Sequence, residues 1–266
     1  MTVNDVNGTA SPSAHRSARA PRLFLEAGLA ADVVVELDKA QANYLGNVLR
    51  LKAGQPVLVF NGRDGEWRAD VETSGRRGLA LAIRAQTREQ TALGHIHYLF
   101  APLKQARLDY VVQKAVEMGV ASLMPVVTQH TQVTRINHDR LVANVIEAAE
   151  QCGILSVPEV RAEMRLAEAV ASLSPTCRLI FCDEEAPQPD PIAALGGVDT
   201  AGEVAVLIGP EGGFDENERR FLTTHPGVLR LALGPRILRA DTAAVAALAL
   251  VQAVIGDWRD LAPRAG

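Results

Sequence analysis

This 266-residue chain contains few cysteines and few aromatic residues, and neither sign of charge is in strong excess. Its three cysteines are too few to hold a chain of this length together as a disulfide scaffold. Its formal net charge of −4 argues against indiscriminate binding to nucleic acid, which needs a strongly basic surface. The sequence also lacks an apolar run of about 18 residues and an apolar signal-peptide core. We therefore expect a cytoplasmic protein with no membrane partner.

The composition is that of a globular protein, with 48% hydrophobic and 22% charged residues. Residues 1–20 consist largely of Ser, Ala, Thr, Asn and Pro, which predicts a disordered tail. The pattern then changes twice along the chain. Short strand-like runs fill residues 21–88, a polar stretch over 89–94 is typical of a linker, and strands alternate with helices over 95–260.

Residues 21–88 predict a small β-barrel, because short strands there are separated by glycine-rich turns. One helix is expected within it, from an N-cap at Asp38 through Arg50. Residues 46–88 carry eight Lys or Arg against four Asp or Glu, so this region is locally basic. The excess is explained either by solvated turns, including 74–78, or by a face that contacts phosphates.

Alternating strands and helices over residues 95–260 predict an α/β domain with a parallel sheet. The buried strand at 204–208 runs directly into the glycine loop 209–213, which places this loop at the carboxyl edge of the sheet, where α/β proteins bind ligands. Neither a P-loop lysine nor a GxGxxG motif is present, so a di- or triphosphate ligand is not expected. The apolar loop 233–239 suits an adenine, whose edge can take main-chain hydrogen bonds.

No metal site is expected. His95 and His97 lie on one strand face without a third ligand near them in the sequence.

The acidic loop 183–191 is expected to be solvent-exposed surface. Lys114 and Glu117 are three residues apart and should share a face of the helix predicted over 108–118.

Six sequence segments in a fixed order together resemble one known family. They are Arg22-Leu23-Phe24; Val48-Leu49-Arg50; Lys104 with 113–120; 147–153 with Val157-Pro158; 207–214; and 233–239. In this order they resemble the RsmE-type ribosomal RNA uridine-N3 methyltransferases of the SPOUT (trefoil-knot) superfamily, over residues 22 to about 258. Two positions depart from the family's usual pattern. Ile154 stands where arginine is usual, and Asp241 stands where glutamate is usual.

This resemblance implies an α/β fold with a C-terminal SPOUT domain, knotted as a deep trefoil, and a small N-terminal PUA-like β-barrel that holds RNA. It implies a homodimer that methylates N3 of a uridine in the decoding region of 16S rRNA of the small ribosomal subunit. The implied cofactor is S-adenosyl-L-methionine, bent between the two loops. The residues expected to bind it are Leu207, Gly209, Pro210, Glu211, Gly212, Gly213, Leu233, Gly234, Ile237 and Leu238.

Methyl transfer to N3 needs a group that stabilises charge on the uracil oxygens and a group that accepts the N3 proton. We expect Arg236 or Arg239 in the first role and Glu211 or Asp241 in the second, with a simple N-cap as the alternative role of Asp241. Five residues are expected to contact RNA phosphates: Arg22, Arg50, Lys104, Arg107 and Lys114. Two alternatives stay open, a knotted tRNA methyltransferase and a non-catalytic RNA-binding protein of ribosome assembly.

Overall fold

A computed structural model of the chain describes residues 20–75, 78–133, 135–188, 190–198 and 202–260. The described residues form two compact units, one built from 20–60 with 66–87 and the other from 61–65 with 88–260. Most of the predicted tail (1–19) and the turn residues Arg76 and Arg77 lie outside the described part of the chain.

The first unit is a five-stranded sheet around a small apolar core. Its strands are β1 (Arg22–Phe24), β2 (Val34–Glu36), β3 (Pro56–Phe60), β4 (Glu66–Ser74) and β5 (Gly78–Arg88). Their order in the sheet is β1-β3-β4-β5-β2. β1 runs parallel to β3, whereas β3 with β4 and β2 with β5 are antiparallel pairs. Alternate residues such as Val57, Val59, Val71 and Leu81 are buried together, as the two-residue period of strands requires.

The helix expected from Asp38 through Arg50 begins as predicted but changes type. Asp38 caps α1 (Lys39–Asn43), accepting a hydrogen bond from the Gln41 N–H, and the Gln41 side chain accepts one from the Asp38 N–H. The following turns, Tyr44–Val48, are a π-helix, in which the Leu49 N–H donates to the Tyr44 carbonyl at 2.9 Å. Arg50 then has a φ of +56°, which ends the helix. Periodicity could not predict this change, because apolar spacing does not distinguish a π-turn from an α-turn.

The second unit has an α/β fold, as predicted. Its strands are β6 (Ile96–Phe100), β7 (Ser122–Val127), β8 (Glu159–Val160), β9 (Met164–Arg165), β10 (Arg178–Cys182), β11 (Val204–Ile208) and β12 (Val228–Leu231). Its helices are α2 (Gln105–Glu117), α3 (His138–Cys152), α4 (Leu166–Ala171), α5 (Pro191–Gly196), α6 (Glu216–Thr224) and α7 (Ala240–Ile255), followed by a 3-10 turn at Asp257–Asp260. The sequence did not predict β8, β9 or α5, which are too short to show a clear period.

The sheet of the second unit is parallel in every pairing, in the order β12-β10-β11-β6-β7-β8, with β9 beside β7. Because β10 lies between β11 and β12, the loops that follow these three strands emerge side by side at the carboxyl edge. β11 is buried along its whole length. Two loops that are far apart in sequence, 209–213 and 233–239, therefore meet at one place.

Among the described residues, no helix is long and apolar enough to cross a bilayer. The described part of the chain also contains no group of three or more His, Cys, Asp or Glu side chains arranged to hold a metal ion.

Candidate cofactor site

A cavity of about 500 Å³ lies at the carboxyl edge of β10, β11 and β12. Its walls are the last residues of β10 and β11, the loops after β10, β11 and β12, Arg219 of α6 and the start of α7. Nine of the ten residues predicted to bind the cofactor line it: Gly209, Pro210, Glu211, Gly212, Gly213, Leu233, Gly234, Ile237 and Leu238. The volume falls in the range of about 300–1,000 Å³ typical of small-molecule sites.

Leu207 is the one predicted cofactor residue that does not line the cavity. Its side chain is fully buried in the apolar core, in the same cluster as Ala205 and Leu222. It therefore supports the strand that carries the loop rather than the loop surface.

The loop after β11 depends on two of its glycines, one for close packing and one for its backbone conformation. A Cβ at Gly209 would collide with the ring of Phe214, which packs edge-on against Phe181 at 5.2 Å between ring centroids. Gly213 has a φ of +70°, and its N–H donates to the Pro210 carbonyl at 2.9 Å. The loop therefore needs glycine at both positions.

One histidine supports this loop from a distant part of the chain. Nδ1 of His130 lies 3.1 Å from the Gly212 carbonyl and 3.2 Å from the Gly213 carbonyl. Sequence reasoning missed His130, because an isolated histidine 82 residues away carries no local signal.

The loop after β12 presents backbone and apolar surface to the cavity. Gly234 has a φ of +93°, and a Cβ built there would meet no atom within 4 Å, so a ligand can approach its main chain. Leu233 and Leu238 are half-buried, and Ile237 is 92% exposed. An open main chain between aliphatic side chains fits an adenosyl group, whose edge bonds to peptide groups and whose faces take apolar contacts. These residues therefore fit S-adenosylmethionine.

The two arginines of this loop, Arg236 and Arg239, line the cavity with exposed side chains. Within the described part of the chain, neither makes an ion pair. Both guanidinium groups are therefore available to an anionic or carbonyl-bearing ligand.

The two carboxylates predicted as proton acceptors, Glu211 and Asp241, share one arginine. Arg107 donates from Nε to Oδ2 of Asp241 at 2.9 Å and from Nη2 to Oδ1 at 3.0 Å, while its Nη1 contacts Glu211 Oε1. This bidentate pair holds the pKa of Asp241 below its ordinary value and raises that of Arg107. Glu211 lines the cavity, whereas Asp241 lies in the first turn of α7 just beyond it.

The alternative role of Asp241 as an N-cap is wrong. Arg239 occupies the N-cap position of α7, and Asp241 is the second residue of the helix. The Arg239 backbone is extended, with φ −66° and ψ 153°, so the helix begins two residues earlier than a cap at Asp241 would allow. The carboxylate of Asp241 is therefore used for Arg107.

The acidic loop after β10 is not plain surface at its start, contrary to the prediction for 183–191. The Asp183 side chain is 1% exposed, although residues 184 and 185 are open to solvent. Arg219 of α6 and Arg230 of β12 pair with its carboxylate at 3.0 and 2.6 Å. Asp183 is buried because two cations from neighbouring elements neutralise it, and it thereby holds one wall of the cavity.

The five predicted phosphate contacts lie in different settings. Lys104, at the N-cap of α2, and Arg50 are exposed. Arg22 pairs with Glu66 at 2.9 Å and stacks over Phe60, with 11% of its side chain exposed. Lys114 pairs with Glu117 at 2.6 Å, as their shared helix face predicted. The structure therefore favours Arg50 and Lys104 over Arg22, Lys114 and Arg107 as phosphate contacts.

Comparison with known protein families identifies the larger unit. The family described as an RNA methyltransferase domain matches residues 89–252, which is more than half of the chain. The chain belongs to this RNA methyltransferase family. A second family, described as an RNA methyltransferase PUA domain, matches residues 37–83 in the first unit.

Individual relatives of this RNA methyltransferase cover almost the whole chain. Ribosomal RNA small subunit methyltransferase E of Rickettsia conorii is 27% identical over 232 residues, 87% of this chain and 94% of that protein. A Neisseria gonorrhoeae protein of the same name, solved with S-adenosyl methionine, has 28% identity and a TM-score of 0.78 over 90% of this chain and 99% of that one. A Legionella pneumophila methyltransferase solved with bound SAM has 30% identity and a TM-score of 0.77, covering 88% and 98%.

These comparisons confirm the predicted resemblance to the RsmE-type methyltransferases and the PUA-like nature of the first unit. They also confirm the predicted class of enzyme and S-adenosylmethionine as its cofactor. The roles of individual residues stay predictions.

Proposed function

We propose that this methyltransferase transfers a methyl group from S-adenosylmethionine to N3 of a uridine in the decoding region of 16S rRNA, with the small ribosomal subunit as its partner. The cavity between two glycine-bearing loops, with two arginines on its wall that have no ion-pair partner in the described chain, is the observation that carries the proposal. Relatives named small subunit methyltransferase E support the ribosomal substrate over the tRNA and assembly-protein alternatives. Action in the cytoplasm stays a prediction.

Main-chain groups of the two loops would hold the cofactor, namely those of Gly209, Gly212, Leu233 and Leu238. The open surface at Gly234 and the half-buried leucines support this assignment, because they leave backbone and apolar surface on the cavity wall. When bound, S-adenosylmethionine supplies an electrophilic methyl group on a sulfonium. The loops have to keep this methyl group in line with the attacking nitrogen.

Uridine N3 carries a proton that has to leave as the nitrogen gains the methyl group. As this proton leaves, negative charge develops on uracil O2 and O4, and Arg236 or Arg239 would stabilise it until N3 takes the methyl group. Between the two candidate proton acceptors, the structure favours Glu211, since it borders the cavity. N3 lies on the Watson–Crick edge, so the base has to be unpaired or flipped to reach the site.

RNA would also contact the first unit through its segment 39–52. Among the described residues of this unit, Arg22, Arg68 and Arg84 are in ion pairs. The other described cations, Lys39, Arg50 and Lys52, are exposed and lie in this one segment. Three exposed cations close together in sequence form a locally basic segment that suits a phosphate backbone, even though the net charge of the whole chain does not favour binding to nucleic acid.

We also propose the features of the fold and of the assembly that the family resemblance implies. The first unit, over 21–88, would close as a PUA-like barrel joined through 89–94 to a SPOUT domain over 95–260. The loops 209–214 and 233–239 would belong to a deep trefoil knot, and the active form would be a homodimer. Ala246, Leu250 and Val254, spaced four residues apart on α7, are apolar yet only partly buried, which supports a partner surface on that helix.

The deciding experiment offers labelled S-adenosylmethionine with three RNA substrates: small subunits lacking the modification, naked 16S rRNA, and tRNA. Nucleoside mass spectrometry identifies the product. N3-methyluridine in 16S rRNA is expected, with small subunits the preferred substrate. A product only in tRNA would replace the ribosomal proposal, and cofactor binding without any product would point to another RNA. If the protein forms no product and binds no cofactor, the alternative of a non-catalytic assembly protein is favoured.

A further inference from the structure

Arg107 joins three elements that are far apart in sequence. It lies in the first turn of α2, 104 residues from Glu211 in the loop after β11 and 134 residues from Asp241 in the first turn of α7. Both carboxylate oxygens of Asp241 and one of Glu211 accept hydrogen bonds from its guanidinium. We call these three residues the Arg107 clamp.

The clamp is poorly suited to hold an RNA phosphate. Two carboxylates face one guanidinium, so the cluster carries a net negative charge that repels an anion. Only 28% of the Arg107 side chain is exposed. Arg107 therefore has another use than the phosphate contact that the sequence predicts.

Both carboxylates of the clamp lie next to residues that form the cavity wall. Glu211 is itself in the wall. Asp241 follows Arg239 and Ala240, which are also in the wall, and its Oδ1 accepts a hydrogen bond from the Thr242 N–H at 2.9 Å. Fixing Asp241 therefore fixes the start of α7 and the position from which the Arg239 side chain leaves the main chain.

We propose that Arg107 is a positioning residue for methyl transfer: it holds the glycine loop after β11 and the start of α7 at the spacing that aligns the cofactor with the base. This inference rests on the proposed function. Displacement of reacting groups by about 1 Å can cost about a hundredfold in rate, so a tie between two cavity walls has a large effect on catalysis. Lysine cannot replace it, because a point charge lacks the planar fork that binds both oxygens of Asp241.

Arg140 supplies a matched control. Arg140 lies on α3 and pairs with both carboxylate oxygens of Asp109 at 3.1 and 2.6 Å. Asp109 lies on α2, as Arg107 does. Neither Arg140 nor Asp109 lines the cavity. Replacing either arginine thus breaks a bidentate arginine–aspartate pair between α2 and another helix, but only the change at Arg107 removes the tie between the cavity walls.

The test compares Arg107→Lys and Arg107→Met with Arg140→Lys and Arg140→Met. Three quantities are measured: single-turnover methyl transfer at saturating cofactor and RNA, the Kd for S-adenosylmethionine by calorimetry, and the salt dependence of RNA binding. For both Arg107 variants we expect transfer to fall about a hundredfold and cofactor Kd to rise about tenfold. The salt slope should stay at the wild-type value, and the Arg140 variants should keep wild-type transfer.

A double substitution, Arg107→Met with Asp241→Asn, separates the clamp from unrelated effects of charge removal. Because both changes break the same tie, the double variant should transfer no more slowly than the slower single variant. Fully multiplicative losses would overturn the clamp.

Two further outcomes overturn the proposal. Arg107 variants that match the Arg140 variants in transfer and cofactor Kd would show that the clamp positions nothing. If the Arg107 variants gave a shallower salt slope for RNA binding but wild-type transfer at saturating RNA, Arg107 would be a phosphate contact instead. If wild-type protein yields no product on any RNA, the proposed function fails, and the cofactor Kd alone then decides the clamp.

Discussion

At the scale of single residues, the charges around the cavity fall into two groups. Asp183, Glu211 and Asp241 are each paired with arginines from other elements, so each pair connects two elements beside the cavity. Arg236 and Arg239 line the cavity without such a partner among the described residues. A wall that offers two uncommitted guanidinium groups suits a reaction that builds negative charge on the base.

Arg239→Ala should remove one donor to the developing charge while leaving the main-chain contacts of the cofactor intact. We expect methyl transfer to fall by about 100- to 1,000-fold, with the Kd for S-adenosylmethionine changed by less than about twofold. Single-turnover kinetics and calorimetry measure the two quantities. Arg220→Ala, which removes an exposed arginine paired with Glu216 on α6, is the control. Survival of the wild-type rate in Arg239→Ala would move the role to Arg236.

Arg50→Ala should weaken binding of RNA without affecting the cofactor. Loss of one phosphate contact should make the plot of log K against log salt shallower by about 0.7 to 0.9. Arg84→Ala changes the net charge of the same unit equally, but Arg84 is already paired with Asp70 and Glu72 and should leave the slope unchanged. Filter binding across a salt series decides between them, and equal slopes in the two variants would rule out Arg50 as a phosphate contact.

At the scale of elements, the loop after β11 is held in shape by aromatic packing. Phe214 lies against Gly209 on one side and against Phe181 near the end of β10 on the other. Both phenylalanines also line the cavity. The shape of the loop therefore depends on its packing against the neighbouring strand β10 as well as on its own glycines.

Gly209→Ala should disturb this loop because the added methyl group and the Phe214 ring would occupy the same space. We expect a loss of about 1–3 kcal/mol in the free energy of unfolding, as for other overpacked sites, and cofactor binding at least about tenfold weaker. Gly196→Ala, where a Cβ meets open space, is the control and should leave both quantities near wild type. Denaturant unfolding and calorimetry measure them. Unchanged cofactor affinity in Gly209→Ala would mean that the ring can move without reshaping the loop.

At the scale of the whole molecule, the cavity and a buried histidine lie at opposite edges of the parallel sheet. The cavity lies at the carboxyl edge, whereas His97 lies near the amino edge, at the second residue of β6. His97 Nδ1 is 2.8 Å from Ser122 Oγ on β7, and its Nε2 is 3.5 Å from Glu203 Oε1 beside β11. Burial lowers the pKa of His97, although Glu203 partly opposes this shift.

The lowered pKa of His97 predicts a pH dependence of folding. In the unfolded chain a histidine takes up a proton near pH 6.5, while His97 in the folded protein resists protonation until a lower pH. Its contribution to stability is therefore complete above about pH 6.5 and declines as the pH falls from there through the folded pKa. Between about pH 8 and 5, the free energy of unfolding measured in urea should fall less for His97→Asn than for wild type. The exposed His138→Asn is the control, and equal pH slopes in all three proteins would contradict the prediction.

The sequence by itself determined the parallel α/β domain, the two loops that line the cavity and the family. Each of these depends on local pattern: an apolar strand that ends in glycines, alternation of strands and helices, and motifs that are contiguous in the chain. This is why nine of the ten predicted cofactor residues line one cavity.

Only the tertiary structure decided which charges are paired. Arg107 meets Asp241 across 134 residues, and Arg219 and Arg230 meet Asp183 across 36 and 47. These pairs form because the order β12-β10-β11-β6 brings separate strand ends together, and no local period of the sequence carries that order. The sequence could therefore predict that arginines and carboxylates lie at the site, but only the packing of the sheet shows which of them are ion-paired and which line the cavity without such a partner among the described residues.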